Sequence, residues 1–147
     1  MADSVKVQAM HKLAEILETI PDLGSVHRWQ GKPTDLDQVK TPALFFWEEE
    51  ESRDKRNRLA LGTLKMHLAV FIRLSPSGAA SFNDLADNLQ GKLHNALIRT
   101  SELKGLVKNL QEERVWKEFP NDDYGVLFMS LTLTYGHAWG DAFTTVY

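Results

Sequence analysis

Four consecutive glutamates, Glu48 to Glu51, followed by Arg53, Lys55, Arg56 and Arg58, form the densest group of ionisable side chains in the chain. Carboxylates can hold a divalent cation or move a proton, and a basic run can hold phosphate. Neither chemistry suits this stretch. Consecutive residues on an extended strand point to opposite sides, so four adjacent carboxylates diverge instead of surrounding an ion. Over residues 48–58 five acidic groups oppose four basic ones, without the interleaved aromatics or glycines of a nucleic-acid patch. The five histidines, His11, His27, His67, His94 and His137, are scattered, and His11 with Glu15 lacks the second histidine of a zincin helix. There is no glycine-rich phosphate loop, no Gly-x-Ser-x-Gly elbow and no cysteine. The expectation is therefore no catalytic residue, no metal, no cofactor and no enzymatic activity. Serine and threonine hydroxyls read as helix caps and strand-surface groups, although a triad is recognised by geometry and not by order.

The whole sequence is compatible with that reading. Its 147 residues suit one domain, 1–147, and 43% apolar content is enough for a sizeable core. A net charge of -3 gives no general drive toward nucleic acid or anionic lipid. The first residues, "MADSVKVQAMHKLAEIL", lack the unbroken apolar run of a signal peptide, and no stretch is long and apolar enough to span a membrane.

Periodicity then gives the elements that must position these residues. Met10, Leu13, Ala14, Leu17 and Ile20 recur at three and four, predicting a helix from Val5 to Ile20 that Pro21 ends. "SVHRWQ" is a possible short strand and "TPALFFWEE" a second. Between Leu64 and Leu74 the even positions are apolar while Lys65, His67 and Arg73 are odd, the period of a strand with one buried face. Upstream, Leu59 and Leu61 are odd, so the inward phase changes across Gly62 and Thr63, where a bulge is expected. Phe82, Leu85, Ala86, Leu89, Leu93, Ala96 and Leu97 form the stripe of a second helix, with Ser81 as its expected N-cap. "SELKG" reads as a turn, "ERVWKEF" as a strand and "PNDDYG" as a turn. In the strand that follows, Leu127 to Tyr135 alternates with Phe128, Ser130, Thr132 and Thr134. The predicted fold is α+β: an antiparallel or mixed sheet of four to five strands with two main helices packed on one face.

In that frame the charged stretch is the end of a hairpin at about 44–61, its arms reaching past the core and pairing opposite charges across the turn. Trp116 reads as core. In the aromatic tail at 136–147, Trp139, Phe143 and Tyr147 are as well suited to a subunit contact as to packing on their own domain. The expected interface residues are thus Glu48, Glu49, Glu50, Glu51, Arg53, Lys55, Arg56, Arg58, Trp139, Phe143 and Tyr147.

The leading helix, "TPALFFWEEEE" with its charged turn, "LKMHLAVFIRL", "FNDLADNLQGKLHNAL", the "LKGLVKNL" turn segment and the closing "VLFMSLTLTY" strand together resemble the tail-terminator family of tailed bacteriophages, also called minor tail protein U. The resemblance covers about Met10 to Tyr135 and lies in element order and hydrophobic pattern. It implies a virion protein assembled in the host cytoplasm, a homo-oligomer forming a hexameric ring on the tail tube. The ring would end tube polymerisation and meet the neck or a head-completion protein. Its partners would be the tail tube protein and a connector, with DNA passing through the channel without specific binding. Another neck or tail-completion protein has a similar pattern. A small α+β ligand-binding domain or enzyme, with a pocket between sheet and helices, is the alternative from a different class.

Overall fold

The computed structural model describes residues 4–29, 36–56, 59–74, 79–98, 107–138 and 141–145, with the backbone alone at 37, 53–56, 59–60, 79–80, 107–108, 137–138 and 141–145. The first element, α1 (Val5–Glu18), starts where the Ser4 hydroxyl accepts the Val7 amide at 3.2 Å. It ends at Thr19, two residues before Pro21, with the Thr19 hydroxyl donating to the Ile16 carbonyl at 2.6 Å. Its stripe of Val5, Ala9, Met10, Leu13, Ile16 and Leu17 is buried.

The strands are β1 (Ser25–Arg28), β2 (Ala43–Arg56), β3 (Leu59–Arg73), β4 (Val107–Glu118), β5 (Tyr124–Ala138) and β6 (Asp141–Thr145), with α2 (Ala79–Ile98) between β3 and β4. Five strands lie in the order β1-β2-β3-β5-β4, and the short β6 pairs with the far end of β5. Only β1 against β2 is parallel among these pairings, so the sheet is mixed and the fold is α+β, as the periodicity predicts.

Both helices cover the same face. Even residues of β3 from Leu64 to Ile72 and odd residues of β5 from Leu127 to Tyr135 meet Leu13, Leu17, Leu89 and Leu93 in one core. Each fully buried Leu or Phe contributes roughly 1.5–3 kcal/mol, so this layer supplies most of the folding drive.

Several expectations are corrected. The bulge lies on β2, not at Gly62 and Thr63: Glu48 pairs with Met66 and Glu50 with Lys65, leaving Glu49 as the extra residue. The β3–β5 register runs unbroken from Leu59 to Arg73. Gly62 keeps the even, helix-facing phase, and the space where a side chain would stand is filled by the Tyr135 ring. Ser81 sits inside α2, which begins at Ala79. Val107 to Leu110 belongs to β4 and is not a turn. The hairpin is real, but its β3 arm pairs with β5 as far as Ala138, so its outer part is a three-stranded sheet, not a free arm.

Candidate functional site

The bulge divides the glutamate run between two sides of the sheet. Before it, Glu48 shares the helix face with Leu44 and Phe46; after it, Glu51 returns to that face opposite Leu64. The α1 residue Lys6 lies between them, with Nζ 2.9 Å from Glu48 Oε2 and 2.7 Å from Glu51 Oε2. Arg28 of β1 donates to the other oxygen of Glu48, and the Tyr135 hydroxyl donates to Glu51. Burial pulls the Lys6 ammonium downward, but its bonds to Glu51 and Glu48 outweigh this and hold its pKa above the usual lysine range. Two of the four glutamates are therefore internal ties between α1, β1, β2 and β5.

The other two point to the opposite, helix-free face. Glu50 is exposed beside Lys65, and Glu49 pairs with His67. That bond to His67 is the main reason the Glu49 carboxyl lies below the usual carboxylate range.

The helix-free face carries an aromatic surface that inspection of single strands did not reveal. Register brings Phe45 and Trp47 of β2, His67 and Phe71 of β3, Phe128 of β5 and Trp116 of β4 onto one side. Trp47 stacks on His67 with centroids 5.5 Å apart, His67 meets Trp116 edge-on at 6.2 Å, and Trp116 lies nearly parallel to Phe128 at 5.1 Å. Arg114 caps Trp116 at 4.6 Å. At the β1 side His27 stacks on Phe45, and Trp29 meets Trp47 edge-on. Trp116 is thus a surface-face residue and not part of the helix-covered core.

A groove of about 340 Å³ opens in this surface. Phe45, Trp47, Ala69, Phe71 and Phe128 line it from the strands, with Trp29 and Leu36 from the segment joining β1 to β2. Trp29 is 45% exposed. Next to the groove, the His27 Nε2 atom is buried with no hydrogen-bond partner, which costs about 1–3 kcal/mol. Toward the hairpin end the same face turns polar, with Glu50, Ser52, Thr63, Lys65 and Thr132 around a smaller depression.

Of the sequence-predicted interface residues, Glu49 and Glu50 are presented outward, while Glu48 and Glu51 are tied to Lys6. Arg53, Lys55 and Arg56 lie on the β2 backbone and Phe143 on β6, but their side chains fall outside the described residues, as do Arg58, Trp139 and Tyr147 entirely. Among the described residues no group of three His, Cys, Asp or Glu could hold a metal ion. No described helix is long and apolar enough to cross a membrane.

No family model matches the sequence, and no curated protein does. Among solved structures, a chain from the virion of a native gene transfer agent particle is similar, at 15% identity and a TM-score of 0.47, over 89% of this chain and 90% of that one. Likeness at this level does not fix a function.

Proposed function

We propose that this chain is a structural subunit of a tailed-phage virion, a tail terminator whose copies close into a ring on the tail tube. The observation that carries the reading is a sheet covered by helices on one face only, with an apolar aromatic surface and groove left on the other. Aromatic residues are enriched where protein interfaces bury them, and a ring built by rotation requires each subunit to offer unlike patches. The element order shared with the tail-terminator family supports the same reading. In the assembled virion the ring, of six copies by that resemblance, would end tube growth and present its outer face to a neck or head-completion protein.

Electron microscopy of the purified chain, alone and mixed with tail tubes, tests this. Rings seated on tube ends are the expected result. Tubes that remain bare and continue to lengthen would contradict it.

The groove itself favours a second reading, a small ligand-binding domain. Its volume and apolar lining suit a drug-sized molecule, and it lies on the helix-free face, not between sheet and helices. A chain that stays monomeric and gains thermal stability with a small aromatic compound would support this second reading.

A further inference from the structure

β4 ends the sheet on one side, and among the described residues no strand pairs with its outer edge. Such an edge presents a row of N–H and C=O groups to any strand that can lie beside it. Two of the most exposed large apolar side chains among the described residues belong to this edge, Val115 at 38% and Phe119, directly after β4, at 49%. Arg114 and Glu118 are exposed there as well, and neither forms an ion pair with another described residue.

Register fixes the face of each side chain. The ladder is irregular at Glu113, but from Arg114 to Glu118 it runs evenly against Ser130 to Val126. Arg114, Trp116 and Glu118 lie on the helix-free face with Phe128, while Val115 and Lys117 lie on the helix-covered face with Met129 and Leu127. Arg114 and Glu118 are four strand steps apart, about 13 Å, so within one copy they do not meet. Their cross-strand neighbours on β5, Ser130 and Val126, carry no charge.

We propose that β4 of a second copy lies antiparallel beside this edge, about a two-fold axis between the two Trp116 residues, joining the two sheets into one. Arg114 of each copy then stands opposite Glu118 of the other, and Trp116 meets Trp116. On the helix-covered side Val115 lies opposite the apolar stem of Lys117 of the other copy and diagonal to its Phe119. One arrangement thus pairs both lone charges and covers both exposed apolar side chains.

Other registers and partners fit less well. An axis centred on Arg114, Lys117 or Glu118 sets like charges against each other, and one centred on Val115 carries the pairing into the bulge at Glu113. The far edge of the sheet offers only four residues in β1. Beyond them β2 opens with four glutamates and a bulge, devices that blunt an edge.

Sedimentation over a concentration series tests the pairing, with thermal melts to verify folding. The unmodified chain should dimerise. Arg114→Glu and Glu118→Arg each put like charges face to face at two symmetric positions and should weaken the dimer about tenfold or more. The double variant restores opposite charges and should recover most of the loss.

The absence of cysteine allows a second measurement. Under mild oxidation Trp116→Cys should give a disulfide-linked dimer across the axis, whereas Gln111→Cys, its two copies roughly 30 Å apart by strand rise, should give none. A chain that stays monomeric at every concentration, single reversals that dimerise like the unmodified chain, a double variant no better than either, or cross-linking that does not favour position 116 would each overturn the pairing. A two-fold contact closes on itself, so it neither builds nor needs the ring proposed above, and tube capping and this pairing fail separately.

Discussion

Lys6 holds Glu48 and Glu51 in one cluster, so its effect on stability has a definite pH sense. Its pKa is raised in the folded state, so the stabilisation is full below the unfolded lysine value and is lost as pH rises through the folded value. Lys6→Met should lower stability by about 1–2 kcal/mol near neutrality, since Glu48 and Glu51 then face each other with only Arg28 and Tyr135 as donors. In urea titrations the difference between the two proteins should shrink at strongly alkaline pH; a gap that stays constant there would show that Lys6 acts through packing alone. Gly62 gives a second prediction at this scale. A methyl group there would overlap the Tyr135 ring, so Gly62→Ala should cost about 1–3 kcal/mol. Nuclear magnetic resonance would show it displacing the tyrosine hydroxyl from Glu51, and an undisturbed Tyr135 would refute this.

At the scale of elements, the bulge determines which glutamates face outward. Deleting Glu49 joins Glu48 directly to Glu50, and strict alternation then still places Glu48 and Glu51 on the helix face. The deletion should keep the Lys6 cluster and the β2–β3 register while straightening the strand and releasing His67. Amide exchange along β3 that rises throughout would disprove it. The same element explains what could be read in the sequence. Period two in Leu64–Ile72 and Leu127–Tyr135, and period three to four in α1 and α2, identified the helix-covered core because each pattern lies within one element. The aromatic face was not legible, since Phe45, Trp47, Phe71, Trp116 and Phe128 come from four strands and only register gathers them. The odd positions of Leu59 and Leu61 suggested a change of phase that β3 does not make, since its pairing with β5 runs unbroken from Leu59 to Arg73. The glutamate run looked like a single unit because a bulge in its midst leaves no compositional mark.

Across the whole molecule the proposed assembly would give the two sides of the sheet separate duties, and charge reversal can test the division. Changing Glu48 and Glu51 to lysine should unfold or loosen the monomer, because Lys6 and Arg28 would then meet like charge in a half-buried setting. Changing Glu49 and Glu50 should leave the melting temperature within a few degrees and act only on assembly with other chains. Circular dichroism melts of the two double variants distinguish these outcomes, and equal destabilisation by both would remove the division.

β5 lies between β3 and β4 and also carries β6. It follows β3 and β4, and both helices, in the chain. Until the ribosome releases it, β3 has no partner on that flank and both helices lack half of the apolar floor they rest on. Productive collapse must therefore wait until β5 has been made, and nascent chains halted before Tyr124 should depend on chaperones and be readily cut by proteases.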